Sequence, residues 1–352
     1  MLKRVGYTAG GFVLIGVLAV AILWGLSVGT VQFSLSQIFN IVMDQFSSPL
    51  AIDDPMNGPE QTIIWLLRMP RLLMAAIIGA GLAVSGVIMQ AIVKNPLADP
   101  YILGISSGAS LGATVAILFG VGVMFGENFV GIMAFIGAMA ISFGVLFISN
   151  LGGRPNSVKL ILGGLALSAV CSSFSSFVVY LADDKEGIQT ITYWLMGSFA
   201  GAKWDMLPFI AIVVLVSILF FWSQSRVLNI MLLGDEVAIT LGRDLHRYRQ
   251  VYLIISSLII GFVVYAAGMI GFVGLLIPHL VRMTIGTNHW TLIPFSALGG
   301  SIFLVIADGL CRCIIPHAEL PFSFLSLVHQ PLCICWCVRT TDLEGNNEYS
   351  NR

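Results

Sequence analysis

Leu233-Gly234-Asp235-Glu236-Val237-Ala238-Ile239-Thr240-Leu241-Gly242-Arg243-Asp244-Leu245-His246-Arg247-Tyr248-Arg249 is the most polar internal stretch of a chain that is otherwise largely apolar. Apolar runs over 206–223 and 250–267 flank it, both too long for a soluble core. Two glycines bracket a segment able to form a short helix, with Val237, Ala238 and Leu241 on one face. Asp235 and Glu236 occupy its first turn, where the helix dipole favours anions. Arg243, Arg247 and Arg249 follow, and clustered arginines beside a membrane segment mark the cytoplasmic side. The pattern fits a stiff handle held out of a membrane for a cytoplasmic partner. It equally fits an ordinary solvated loop with a positive-inside bias.

Composition supports the membrane. Apolar residues make up 57% of the 352 residues and charged residues 10%, against roughly 25% charged in a soluble domain. Mean hydropathy is +0.95. The apolar runs are continuous rather than alternating, so the spans are helices and not barrel strands. A net charge of −1 gives no footprint for nucleic acid. The 37 glycines suit close helix packing. Cys171 stands alone and the other cysteines crowd into 311–337, which is no disulfide framework.

Taken in order, Met1-Leu2-Lys3-Arg4 is a positive end before a first, uncleaved span over about 8–28. Residues 30–62 carry Asp44, Asp53, Asp54 and Glu60 without Lys or Arg, so they belong outside, with a short interfacial helix at Leu35, Ile38, Phe39, Val42 and Met43. Arg68-Met69-Pro70-Arg71 opens a second span over about 72–92. Its two arginines sit on the outer side against the charge rule. They either snorkel to the headgroups or await acidic groups on an external partner. Lys94-Asn95-Pro96-Leu97-Ala98-Asp99-Pro100 is an inner turn. Further spans are expected over about 101–120, 129–149, 160–181, 206–223, 250–267, 270–285 and 291–310. A short amphiphilic piece is expected at Thr190–Ala202, and a broken or re-entrant turn at Gly268–Gly274. Asp308 and Arg312 stand one turn apart and can pair. Most of the 17 Lys and Arg fall inside, with Arg68, Arg71 and Arg312 as exceptions. No Asp, Glu, Lys or Arg lies in mid-span, which disfavours an ion-coupled secondary carrier.

Several blocks resemble one family. They are Arg68-Met69-Pro70-Arg71, Gly79-Ala80-Gly81-Leu82-Ala83-Val84-Ser85-Gly86 through Met89-Gln90, Asn95-Pro96-Leu97-Ala98-Asp99-Pro100, and Leu103-Gly104-Ile105-Ser106-Ser107-Gly108-Ala109. Leu162-Gly163-Gly164, Tyr193-Trp194-Leu195-Met196-Gly197-Ser198, the Gly234–Gly242 handle, Gly271-Phe272-Val273-Gly274 through Pro278-His279, Ala307-Asp308 through Arg312, and Glu319-Leu320-Pro321 continue the match. Over about 60–321 the chain is similar to the FecCD family, the permeases of ABC importers for iron-siderophores, haem and cobalamin. The resemblance implies an all-α polytopic fold of the type II importer permease, with about ten spans. It implies a homodimer, or a heterodimer with a paralogous permease. A cytoplasmic ATPase dimer would grip Gly234, Asp235, Glu236, Ala238, Leu241 and Gly242. An extracytoplasmic substrate-binding protein would dock on Arg68, Arg71 and Arg312. Asn95 and Leu97, with Asn156 and Ser157, would form the inner gate. The chain contains no G-x-x-x-x-G-K-[ST] phosphate loop, so ATP and Mg²⁺ would sit on the partner, with no cofactor or metal bound by this chain. The cargo expected is a ferric siderophore, with cobalamin and haem as alternatives.

Other patterns carry less. Gly104-Ile105-Ser106-Ser107-Gly108 fits the G-x-S-x-G of serine hydrolases, but that chemistry needs a strand-to-helix elbow and a paired histidine. In an apolar, small-residue run, helix packing is the better account. His279 is a lone histidine, and Cys333-x-Cys335-x-Cys337 departs from zinc spacing. After Pro321 the family pattern stops. Residues 322–352 read as a divergent C-terminal segment, the expected product of a reading-frame shift, with a degraded tenth span after a 1–321 permease domain.

Overall fold

The apolar runs fold as helices because lipid offers the backbone no other hydrogen-bond partners. A computed structural model describes residues 2–47, 58–96, 98–151, 157–182 and 184–314. Leu97, Asn156 and Asp183 lie outside the described residues, as do Glu319-Leu320-Pro321, the cysteines at 333, 335 and 337, and the whole 322–352 segment.

In chain order the helices are α1 (Leu2–Ser27), α2 (Leu35–Ser47), α3 (Pro59–Gln61), α4 (Met69–Val93), α5 (Ile105–Phe119), α6 (Phe129–Asn150), α7 (Ser157–Ala182), α8 (Lys185–Leu195), α9 (Leu207–Ser223), α10 (Ser225–Leu233), α11 (Asp235–Thr240), α12 (Leu245–Ala267), α13 (Val273–Ile285) and α14 (His289–Ile314). No strand occurs among the described residues. Among the described residues six helical segments are long and apolar enough to cross a bilayer, or seven if α9 and α10, bent by 61°, count as one. The expected spans at 101–120 and 270–285 are shorter helices, α5 and α13.

The second span begins earlier than the sequence reading has it. Helix runs without a break from Pro59 to Val93, and Thr62–Arg68 is π-helical. Pro70 has no N–H to give the preceding turn, and the wider π turn accommodates its ring there. Gly268, with φ of 68°, and Phe272, with φ of 69°, break the chain between α12 and α13 as expected. The amphiphilic piece lies earlier than expected: α8 ends at Leu195 and starts at Lys185, where Asp184 caps it by accepting from the Glu186 N–H.

α4 is the central helix: most of its residues are buried, whereas most of those of α1 and α7 are not. Small residues let its neighbours reach its backbone. Gly79 meets the carbonyl of Gly300 on α14, and Gly86 meets the carbonyl of Gly274 on α13. Ser301 Oγ donates to Ala76 O at 2.7 Å across the first of these crossings. On the other side Gly108 of α5 packs on Gly137 of α6, and Gly112 on Met133. The G-x-S-x-G pattern is therefore a helix-packing motif, and its backbone is helix rather than a strand elbow. Stacked tryptophans mark both ends of the bundle: Trp65 with Trp204, and Trp222 with Trp290. Tryptophan favours the two membrane interfaces.

Candidate functional site

The polar groups gather at the two ends of α4. From Arg71 to Lys94 the helix rises about 35 Å at 1.5 Å per residue, slightly more than the hydrocarbon thickness of about 30 Å.

At the inner end, Gly234, with φ of 105°, turns the chain out of α10 and starts α11. Gly242, with φ of 72°, ends it, and a Cβ there would meet nothing. Ala238 faces inward and is fully buried, while Val237, Ile239 and Leu241 are exposed at 42%, 60% and 58%. The three positions expected on one face are thus divided. Ala238 anchors the segment, while Leu233, Val237, Ile239 and Leu241 are apolar side chains left exposed around it. Glu236 is exposed beside it. Asp235 points inward. Its Oδ1 accepts from Arg249 Nη2 at 2.8 Å and lies 3.5 Å from Lys94 Nζ. Burial works to raise the Asp235 carboxyl, but Arg249 and Lys94 outweigh it and hold it below its ordinary value. A depressed carboxylate loses its contribution only as pH falls through that lowered value, so these pairs persist at neutral and mildly acidic pH.

The turn that closes α4 adjoins this segment. Asn95 is exposed; its N–H donates to Gln90 O at 3.2 Å and its carbonyl accepts from Ala98 N–H at 3.1 Å. Ser157 Oγ donates to Ile92 O at 3.1 Å, which brings the start of α7 to the end of α4. Sequence reading missed the polar cluster beneath. Gln90 Nε2 donates to Gly274 O at 3.2 Å, and Gln90 Oε1 accepts from Arg282 Nη1. Asn229 Oδ1 accepts from the His289 N–H at 3.0 Å and lies 2.7 Å from His289 Nδ1, pinning α10 to the start of α14. A lone Gln in the apolar run 86–93 was the available signal.

At the outer end Arg68, Arg71 and Arg312 do come together, but turned inward, with exposures of 6%, 8% and 9%. In this single chain the guanidiniums are held by partners of their own. Arg68 donates from Nη1 to Leu26 O and from Nη2 to Val31 O, each at 2.6 Å, and lies over the Phe33 ring. Arg312 Nη2 donates to Gly25 O at 2.9 Å. The last-turn carbonyls of α1 have no donors within their own helix and are its negative end, so Arg68 and Arg312 serve as its cap. Asp308 sits between Arg71 Nε at 2.8 Å and Arg312 Nε at 3.1 Å, the second being the i,i+4 pair expected from sequence.

A cavity of about 430 Å³ lies between the start of α5 and the α12–α13 connection, lined by Asp99, Tyr101, Ser106, Met269, Gly271, Phe272 and Leu275. Burial pushes the Asp99 carboxyl up to about 6, with the Tyr101 N–H pulling it back.

The model of the FecCD transport family matches residues 17–339. The chain belongs to the FecCD transport family. The match reaches past Pro321, where the residue-level resemblance ends. The hemin transport system permease HmuU of Yersinia pestis is 40% identical over 266 residues, which are 75% of this chain and 79% of that one. The molybdate import permease MolB of Haemophilus influenzae is 36% identical, covering 87% and 88% of the two chains. The vitamin B12 import permease BtuC of Salmonella paratyphi A is 34% identical, covering 79% and 83%. Among solved structures, an inward-facing metal-chelate type ABC transporter superposes with a TM-score of 0.79 at 32% identity, covering 92% of this chain and 97% of that one. The FecCD chain described here is thus a multi-pass inner-membrane permease of an ABC importer, a transport component and not a catalytic one.

Proposed function

We propose that this FecCD permease carries a ferric siderophore into the cytoplasm as one half of a permease dimer, driven by a separate ATPase dimer that binds ATP and Mg²⁺. The observation that carries the mechanism is the apolar outer surface of Leu233, Val237, Ile239 and Leu241 on a segment anchored from behind by Ala238 and Asp235. A rigid apolar knob at the cytoplasmic end of a bundle is a docking surface for a partner that pushes. Gly234, Asp235, Glu236, Ala238, Leu241 and Gly242 build that knob. Support for a second permease copy comes from α7, which is left uncovered and carries exposed Ser172, Ser173 and Ser176. Three hydroxyls suit a water-lined path between two copies better than lipid. Asn95, Leu97, Asn156 and Ser157 close that path inside. An external binding protein docks at the outer end, where Arg68, Arg71 and Arg312 supply a positive field; direct contact with its carboxylates requires the guanidiniums to leave their present partners.

The metal-chelate type of the solved relative supports the cargo. Haem is the second reading, favoured by the relation to a hemin permease. A strain lacking this chain, assayed with radiolabelled ferric hydroxamate, ferric catecholate, hemin, cobalamin and molybdate, is expected to lose ferric siderophore uptake alone. Loss of hemin or cobalamin uptake instead overturns the cargo. Leu241→Asp is expected to reduce co-purification of the ATPase about tenfold, the cost of one buried charge facing an apolar partner surface. Undiminished co-purification removes the docking role.

A further inference from the structure

We propose that Lys94 is the positioning residue through which movement of α11 reaches the gate turn that follows α4. The proposal rests on the coupling role given above to the Gly234–Gly242 segment.

Lys94 closes α4 in a left-handed backbone conformation, φ 59° and ψ 36°, with its N–H on Gln90 O. Asn95 donates to the same carbonyl, and Ala98 and Asp99 continue the turn through bonds to Asn95 O and from the Tyr101 N–H. The described residues of the turn are thus tied by hydrogen bonds to the end of α4, with Lys94 first. The Lys94 side chain leaves that turn and crosses to the handle. Its Nζ lies 3.5 Å from Asp235 Oδ1 and 3.7 Å from where a Cβ on Gly234 would stand. Asp235 is the first residue of α11, and the same oxygen is held at 2.8 Å by Arg249 of α12. One carboxylate oxygen thus joins three elements: the end of α4, the handle and α12.

The two bonds have different characters. Arg249 is buried, with its side chain 3% exposed, and fixes Asp235 to the body of the bundle. The Lys94 ammonium is 29% exposed and its carboxylate partner 40% exposed, so this pair contributes little to stability. A partly exposed, weakly stabilising pair between the coupling segment and the turn can be exchanged at each cycle. Loss of it leaves the fold standing, which separates a role in coupling from a role in folding.

The test uses the assembled complex of permease and ATPase. Amide exchange of peptides spanning 95–104 is measured without nucleotide and with ATP and vanadate. The parent protein is expected to show a nucleotide-dependent difference. Lys94→Met is expected to retain the bound ATPase and the melting temperature while reducing that difference about fivefold or more, as for a coupling free energy of 1 kcal/mol or above. Lys94→Arg, which keeps the cation, is expected to restore it. A full nucleotide-dependent difference in Lys94→Met overturns the inference. So does loss of the ATPase from that variant, which makes Lys94 part of the docking surface instead. If the parent chain itself binds no ATPase, the proposed function fails, and the inference with it; an intact parent response with an unaffected Lys94→Met removes the inference alone.

Discussion

Gly86→Val is expected to leave almost no folded protein in the membrane. A Cβ at position 86 falls on the carbonyl group of Gly274, and the obstacle is backbone, not a side chain that can rotate away. Ordinary overpacking costs about 1–3 kcal/mol because neighbouring rotamers adjust. Here α13 itself must move. That shift would also break the bond from Gln90 Nε2 to Gly274 O at 3.2 Å, and with it the hold of Gln90 on Arg282. The combined loss approaches the whole stability of a folded domain, about 5–15 kcal/mol. Membrane-fraction yield and melting in detergent measure it. Gly16→Val is the control, since nothing lies within 4 Å of that position, and it is expected to match the parent. A Gly86→Val protein with parental yield and melting contradicts the α4–α13 contact.

The second large effect is expected for Asp308→Ala. Asp308 is 1% exposed and neutralises two guanidiniums: Arg71, which donates to its Oδ1, and Arg312, at ion-pair distance from its Oδ2. Removing one partner of a buried ion pair costs about 3–5 kcal/mol because the charge left behind is uncompensated. For a chain of this size a fall of about 4–7 °C in melting temperature follows. Arg71→Met in the Asp308→Ala background is expected to cost less than it does alone, since the carboxylate it served is gone. Additive losses would show that the two residues do not share one network. Charge reversal at Arg71 therefore damages folding before it bears on any external partner, and docking measurements on such variants need a folded control.

Much of this architecture is legible in the chain because membrane helices announce themselves by length. All nine apolar runs expected before residue 315 have a helix at their place, and the breaks at Gly268 and Phe272 follow from glycine density. Depth is not legible. Arg68 and Arg312 carry the same charge whether they face water or cap α1, and only the position of the Gly25 and Leu26 carbonyls decides between them. The pairing of Arg312 with Asp308 was readable because it is local, one turn along a helix. The pairing of Arg71 with Asp308, or of Lys94 with Asp235, joins residues far apart in sequence, and periodicity holds no trace of it. The handle shows both cases. Its bracketing glycines and acidic first turn were visible, but which of Val237, Ala238 and Leu241 turns inward depends on the packing of α10 and α12 behind it. The helical start at Pro59 was hidden because Pro70 reads as a boundary, and a π turn carries the helix across it.

The central claim is that this bundle is worked from its cytoplasmic end by an ATP-hydrolysing partner. The most direct measurement is uptake of radiolabelled ferric siderophore into liposomes holding the purified permease and its external binding protein, with and without the ATPase and enclosed ATP. The account predicts accumulation only when ATPase and ATP are both present, and its loss with Leu241→Asp. Accumulation by the permease alone, without ATP, would contradict it.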